Sequence, residues 1–397
     1  MKFRLLVCLI IMSCFIGNLF GRELIWQKDL ACDANMGCSP AVVAADVNAN
    51  KLIILGASIR DEGKEGDFLI WEMDTNGNIS NRSKFGKMSK ESAAMPLSLQ
   101  LSGLSIKGNN DIIVLGKFDG NTPSSSLLTM NRKGNNLSVK SLENSEPAKK
   151  VDGAFILKMK PVFGNSLAIV GRQGSNGFIT KMDELGNEVW KKIFDINYTE
   201  IFSDVASGST GLYVAGQSVQ TKPTNKTSFG SKAQNFLLFY DMDGQLIKQD
   251  YFEGVCSTKF PQVARMSSGI VLVAYDRSEN ITATDLNIRA YNPDLKFLWE
   301  TQVVTTDGNG PPGYFKILAV SSDRFFIGTV FNGGELVIAE CSSDGQVMER
   351  WSMGKVVGPF GELQLVTLSK KVYAVFSTIS YGELQNVRIK VLAFAIE

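Results

Sequence analysis

The chemistry open to this 397-residue chain is restricted because the sequence contains no histidine. A Ser-His-Asp or Cys-His catalytic group, a histidine general base and a histidine-ligated zinc or iron site are therefore excluded. The Asp- and Gly-rich runs lack the bidentate glutamate that a calcium loop requires. We expect no metal ion and no cofactor, and any catalysis would depend on carboxylates or on tyrosine, lysine and arginine.

The cysteines are expected to have a structural role. Beyond the first 21 residues the chain contains Cys32, Cys38, Cys256 and Cys341. Cys32 and Cys38 flank a short polar segment, and in an oxidising compartment they could close a small loop as a disulfide. Two thiols without a histidine or a second nearby pair make a poor zinc site.

Polar residues at the ends of short apolar strands form the candidate binding set. If the strands surround a common axis, these side chains would converge on a central opening with mixed charge, suited to a polar ligand or partner. The alternative is a solvated rim without a ligand. The set comprises Arg60, Lys117, Arg172, Gln217, Tyr275 and Asp276 after strands, and Asp152, Glu200, Lys259 and Glu362 where strands begin.

The strands that would position these residues belong to a repeat. Six hairpins of β-rich runs have Asp, Asn and Gly turns, a combination typical of hairpins. Their turns recur about every 54 residues, which indicates a repeat architecture rather than separate domains. Upstream of each hairpin lie an apolar strand, such as Asp111 to Gly116, and another short strand. Four strands per unit is one blade of a β-propeller. The six turns fall at positions 77, 134, 186, 244, 295 and 345.

The two ends of the chain supply the missing hairpin. The sequence holds seven inner strand pairs but six complete hairpins, and the period places the seventh turn at both termini. Glu23 to Leu30 would be its outer strand and Val387 to Ala395 its inner strand. Pairing them would close the ring and remove two exposed sheet edges. We therefore predict an all-β fold, a seven-bladed β-propeller of four-stranded blades, as a single domain over residues 22–397.

The first 21 residues predict export. Lys2 and Arg4 precede an apolar run from Leu5 to Ile16, and a small residue, Gly21, follows. This order is typical of a secretory signal peptide, and the apolar run is short for a bilayer span, which needs about 20 residues. We expect a secreted, periplasmic or cell-surface protein without a transmembrane segment in the mature chain. Lipidation at Cys14 is the alternative.

One hairpin resembles the repeat of a known class of propellers. Asp183, Gly186 and Trp190 have the D-x-x-G-x-x-x-W spacing of PQQ-like propellers and of secreted seven-bladed propellers, and Trp26 and Trp299 occupy the matching tryptophan position. The resemblance implies the fold rather than an activity. Quinoprotein dehydrogenases of that class use eight blades and a vicinal cysteine pair, and this chain has no Cys-Cys. The tryptophan is expected to lie between neighbouring blades.

A binding or interaction module is the function that these patterns favour. The net charge of +1 gives no electrostatic case for nucleic acid. Longer segments fall on one face of the predicted disc, where loops on a rigid scaffold usually bind. We expect a protein or glycan partner and a monomer. The alternatives are a carbohydrate-active lyase or glycosidase that uses carboxylates in the propeller mouth, and an envelope assembly scaffold.

Overall fold

A computed structural model of the chain describes residues 24–32, 37–60, 65–87, 101–107, 111–116, 126–142, 155–196, 198–220, 232–255, 260–276, 286–304, 312–331, 335–355, 363–378 and 388–396. The described residues form twenty-eight strands and no helix. The predicted signal peptide lies outside them.

Seven four-stranded antiparallel blades make up the fold, and each is numbered here with its innermost strand first. The inner strands of blades 2 and 3 also share one parallel bridge, between Gly103 and Met159. Blade 1 contains β2 (Gly37–Asp46), β3 (Lys51–Arg60), β4 (Glu65–Asp74) and β5 (Ile79–Lys87). Blade 2 contains β6 (Leu101–Ile106), β7 (Ile112–Gly116), β8 (Ser126–Met130) and β9 (Asn136–Ser141). Blade 3 contains β10 (Phe155–Val162), β11 (Ser166–Gln173), β12 (Asn176–Met182) and β13 (Glu188–Phe194).

The remaining blades repeat this order. Blade 4 contains β14 (Thr199–Ser207), β15 (Gly211–Gln220), β16 (Lys232–Asp241) and β17 (Leu246–Val255). Blade 5 contains β18 (Gln262–Arg265), β19 (Val271–Asp276), β20 (Leu286–Tyr291) and β21 (Phe297–Val304). Blade 6 contains β22 (Pro312–Ala319), β23 (Arg324–Phe331), β24 (Glu335–Ser342) and β25 (Val347–Lys355). Blade 7 contains β26 (Gln364–Leu368), β27 (Lys371–Thr378), β28 (Arg388–Ala395) and β1 (Leu24–Leu30).

The ring closes as the sequence predicts. Strand β1 pairs antiparallel with β28, and the fully buried Leu30 lies opposite Ile389. The seven inner strands contact one another in a closed cycle, β2, β6, β10, β14, β18, β22, β26 and back to β2. The Gln364 side-chain amide completes the junction by donating to the Ala41 carbonyl at 3.0 Å. The predicted seven-bladed fold is confirmed.

The core is divided among the blades. The described residues form seven apolar clusters, one between each pair of adjacent blades. The second strands are apolar throughout because they contribute to a cluster on each side: Leu212 and Val214 of β15 face blade 3, whereas Tyr213 and Ala215 face blade 5. This explains why these strands show no alternation of apolar and polar residues.

Two faces of the disc differ. At one end, here the turn face, the first strand connects to the second and the third to the fourth, by tight turns where the connection is described. All six predicted hairpin turns lie there, and each predicted position has a positive φ: Gly77, Gly134, Gly186, Gly244, Leu295 and Gly345. At the other end, here the loop face, strands such as β7, β15 and β19 lead into segments outside the described residues.

Tryptophans join neighbouring blades at the turn face. The indole N–H of Trp190 in blade 3 donates to the Met242 carbonyl in the blade 4 turn at 2.9 Å. A Cβ added at Gly244 would come within 2.8 Å of that indole, so glycine is required by contact as well as by its positive φ. Trp26 and Trp299 make the same bond to the turns of blades 1 and 6, at 3.1 and 3.0 Å. The expected position of tryptophan between blades is confirmed.

Candidate functional site

The structure describes about half of the predicted binding set. Lys117, Asp152, Lys259 and Glu362 lie outside the described residues, as does the side chain of Arg60. Arg172 is half-buried in β11. The remaining four, Gln217, Tyr275, Asp276 and Glu200, are buried, at 5% exposure or less. Convergence of the whole set on a central mouth stays a prediction.

Two buried candidates belong to blade 4. The side-chain amide of Gln217 donates to the side-chain oxygen Oδ1 of Asn235 at 3.2 Å. Glu200 is fully buried on β14, accepts a hydrogen bond from the Tyr198 backbone N–H at 3.0 Å, and has its Oε2 buried without a hydrogen-bond partner. Burial therefore raises the pKa of the Glu200 carboxyl.

The disulfide prediction is tested only in part. Cys32 is disulfide-bonded, but the side chain of Cys38 lies outside the described residues, so this pairing stays a prediction. Cys341 is a free, buried thiol between blades 5 and 6, where burial raises its pKa to about 12. Such a thiol is a small core residue rather than a nucleophile.

Tyr275 is one of the residues that line a cavity between blades 4 and 5. This blade 4–5 cavity has a volume of about 420 Å³. Its walls come from the outer strands of blade 4 and from β19, β20 and β21 of blade 5. Tyr275 lies one residue before the loop-face end of β19. Among the described residues, the cavity is lined by Gln234, Tyr251, Phe252, Glu253, Tyr275, Arg289 and Glu300.

Arg289 is the central charged group of this cavity. Its guanidinium lies 5.2 Å from the ring centre of Phe252, 5.7 Å from Tyr291 and 4.6 Å from Phe297, a cation–π arrangement. It donates to Glu300 Oε2 at 3.0 Å. Its Nε is buried without a hydrogen-bond partner. Burial opposes the charge, but Tyr291, Asp250 and Glu300 together raise the pKa of Arg289, so it stays protonated.

Two hydroxyl–carboxylate pairs surround the guanidinium. The Tyr275 hydroxyl donates to Glu300 Oε1 at 2.7 Å, and the Tyr291 hydroxyl donates to Asp250 Oδ2 at 2.7 Å. Burial and the Asp250 carboxylate raise the pKa of Tyr291, so the hydroxyl keeps its proton. One cation is thus held by two carboxylates and three rings. The arrangement can offer both donors and acceptors to a polar ligand.

The repeat shows how unusual these residues are. Arg289 stands three residues before the turn residue Asn292, at the position that faces the preceding blade. The matching residues of blades 1, 2, 3, 4 and 6 are Trp71, Leu128, Thr180, Leu238 and Ala339. None of these is charged. The register also pairs Tyr275 with Asn287, and in four other blades the position of Tyr275 is glycine: Gly56, Gly116, Gly171 and Gly216.

Of these residues, Tyr275 belongs to the predicted binding set, whereas Arg289 and Glu300 do not. Arg289 and Glu300 lie on outer strands, and the predicted set is confined to strand ends near the axis. The sequence does contain a sign of Arg289. When the six hairpins are aligned on their turns, this position is charged in blade 5 and uncharged in the other five blades. Phe252 could not be found this way, since it approaches the cavity from the neighbouring blade.

A second charged cluster ties the inner strands together. The Asp204 carboxylate on β14 is 2% exposed, lies 2.8 Å from Lys160 Nζ of blade 3 and accepts the Val263 backbone N–H of blade 5 at 3.0 Å. Burial opposes ionisation, but the charges of Lys160, Lys316 and Lys158 outweigh it and lower the pKa of Asp204. The buried carboxylate therefore joins three blades rather than facing a ligand.

Two kinds of feature are absent from the described residues. No group of three or more Cys, Asp and Glu side chains there is placed to hold a metal ion. Within the same ranges no helix could cross a membrane.

No protein-family model matches the sequence, and no curated protein is similar to it. Solved structures are similar in fold. A protein of unknown function from Dyadobacter fermentans has a TM-score of 0.54 at 11% identity, covering 94% of this chain and 99% of that one. A chain of the Drosophila Plexin A complex with Semaphorin 1b gives 0.52 at 9%, covering 94% and 87%. A chain of the complex of BBS1N with ARL6DN gives 0.52 at 13%, covering 94% and 98%. At these identities the likeness extends to the fold alone.

Proposed function

We propose that this protein is an exported interaction module that binds a macromolecular partner with its loop face. The observation that carries the proposal is the contrast between the two faces of one closed ring. The turn face carries the tight hairpin turns, and several of them accept a hydrogen bond from a side chain of the preceding blade. Strands β7, β15 and β19 end at the loop face and are separated from the next strand by nine, eleven and nine residues, and long segments on a rigid scaffold are where binding usually resides.

The scaffold suits such a role because it is rigid. Ring closure by β1 and β28, seven interblade cores and the tryptophan contacts hold the loop-face strand ends in fixed relative positions. Binding through pre-positioned segments costs less ordering entropy. Two of the similar structures are complexes, Plexin A with Semaphorin 1b and BBS1N with ARL6DN. Those proteins supply a precedent for the fold as an interaction module.

Site-specific photo-crosslinking tests the proposal. A photoreactive amino acid is placed singly at Lys117, Lys226 and Lys259, which follow loop-face strand ends, and the protein is irradiated in its native extracytoplasmic fraction. We expect one adduct of constant mass from these positions, identified by mass spectrometry. A purified partner must then bind the unmodified protein directly.

Matched controls are available on the other surfaces. Lys133, Asp243 and Lys370 are exposed on the turn face. Ile247 and Val347 are exposed apolar residues at the start of outer strands, 49% and 43% accessible. These positions should give no adduct. The proposal is wrong if the same adduct forms from the turn face or the outer strands, or if the loop-face positions give none.

A further inference from the structure

We propose that the space along the axis of the ring, here the axial channel, is a binding site for a small oxyanion with two negative charges. Lys158 and Lys160 of blade 3 and Lys316 of blade 6 act on one carboxylate, Asp204 of blade 4. Three positive charges and one negative charge leave a net charge of +2, which attracts an anion. The site lies on the inner strands rather than on the loop-face segments, so it goes beyond partner binding.

The contacts of two lysines place them at the axis. Lys160 Nζ lies 2.8 Å from Asp204 Oδ1 of blade 4 and donates to the Val263 carbonyl of blade 5 at 3.4 Å. Blade 5 is not a neighbour of blade 3 in the ring, so this side chain extends past β14. Lys316 acts on Asp204 from blade 6, which is not a neighbour of blade 4. These side chains therefore share the space that the seven inner strands enclose.

The repeat shows that lysines at this level are specific to two blades. Five inner strands have a register shift at the same place, and the position two residues beyond it is equivalent in all five. That residue is Lys160 in β10 and Lys316 in β22. In β2, β6 and β14 it is Ala44, Ser105 and Ala206. Because those three side chains are small, only the two lysines among the five can extend to the axis.

Solvent reaches the lysines of the axial channel. An inner strand is covered by the second strand of its own blade and by the blades on both sides, so a side chain in its middle is exposed toward the axis. Lys158, Lys160 and Lys316 are partly exposed, and the Lys160 side chain is 29% accessible. An anion can therefore contact their ammonium groups without entering the apolar core. Lysine ammonium groups bind phosphate as point charges.

The other carboxylates of the described inner strands do not cancel this charge. They are Asp46 and Glu200. Asp46 forms an ion pair with Arg132 of blade 2. Glu200 is fully buried, and burial raises the pKa of its carboxyl, which favours the neutral form. Within the described inner strands, the excess positive charge at the axis matches the charge of one dianion.

The test is titration of the folded chain with inorganic phosphate and with sulfate, at an ionic strength held constant with sodium chloride. Calorimetry reports both affinities, and the phosphorus NMR signal reports binding of phosphate. We expect saturable binding of at least one of the two anions, and this binding should weaken as the sodium chloride concentration is raised. The proposal is overturned if neither anion binds saturably, or if the affinity does not change with ionic strength.

Three variants assign the binding to the axial channel. Lys158→Gln and Lys316→Gln each remove one positive charge but keep the pair of Lys160 and Asp204, so both should fold. Each should weaken anion binding by about tenfold. Asp204→Asn removes the negative charge, so its folded fraction should bind the anion more tightly, a gain that a purely structural role does not give. Unchanged affinity in the folded lysine variants overturns the proposal, and they decide the test if Asp204→Asn does not fold.

Two lysines of the turn face are matched controls. Lys133 and Lys296 are exposed beside the hairpin turns of blades 2 and 5. Lys133→Gln and Lys296→Gln change the net charge of the chain by the same amount as the channel variants and should leave the affinity unchanged. An equal loss in the controls would show general attraction to the protein surface and would contradict the channel site. Because the crosslinking positions lie outside the inner strands, loss of anion binding and loss of the partner adduct are separate outcomes.

Discussion

At the scale of single residues, some buried carboxylates stabilise the folded state at neutral pH and others destabilise it. Asp204 is surrounded by lysines and stays ionised. Glu200 accepts a hydrogen bond from a backbone N–H rather than from a basic side chain, and burial raises the pKa of its carboxyl. The same side-chain chemistry therefore has opposite effects on stability at neutral pH.

Glu200 predicts a dependence of stability on pH. Since its pKa is higher in the folded state than in the unfolded state, the folded state binds more protons between the two values, and stability falls as pH rises through that window. Glu200→Gln should remove this loss and raise the free energy of unfolding above the window. Chemical denaturation across acid to neutral pH measures it. Asp204→Asn is the control, and there we expect destabilisation. An unchanged pH profile in Glu200→Gln contradicts the assignment.

At the scale of elements, the turn-face contacts show one position serving the same purpose with different residues. Trp190 donates to the second residue of the next turn, and so do Trp26 and Trp299. In blade 1 the matching residue is Asn81, whose amide donates to the Arg132 carbonyl. The repeat therefore retains a hydrogen bond between neighbouring blades, and the donor at this position is either a tryptophan or an asparagine.

The tryptophan contact predicts a modest, specific loss. Trp190→Phe keeps an aromatic ring but removes the N–H that donates to Met242, and it should reduce the free energy of unfolding by about 1 kcal/mol. Asn81→Ala should cost a similar amount through the equivalent bond. Urea denaturation measures both. Glu188→Ala, an exposed change in the same strand as Trp190, is the control. A loss for Glu188→Ala equal to that for Trp190→Phe would show that the N–H bond is not the cause.

At the scale of the whole molecule, stability depends on closing the ring. Strand β1 covers the edge of β28, and its last residue, Leu30, is fully buried in the cluster between blades 7 and 1. An uncovered β28 would present an open edge to other chains. The two alternative functions, a carbohydrate-active enzyme and an envelope assembly scaffold, would depend on the same closed ring. Both stay predictions.

Removal of β1 tests this closure. A chain that begins after Leu30 should unfold at lower temperature and associate through β28, as measured by thermal unfolding and analytical ultracentrifugation. Leu30→Ala, which leaves the strand in place, should cost about 2–5 kcal/mol without association. Lys28→Ala, an exposed change, is the control. A monomeric truncated chain with unchanged unfolding would show that β1 does not close the ring.

The sequence by itself determined the repeat, the number of blades and the closure, because turn residues and apolar strands recur at a fixed spacing. It also indicated Tyr275, because this residue is polar and lies near the end of an apolar strand. Only the tertiary structure brought Phe252 of one blade to Arg289 and Glu300 of the next. The blade 4–5 cavity depends on contacts between elements distant in sequence, and local patterns carry no record of which faces meet.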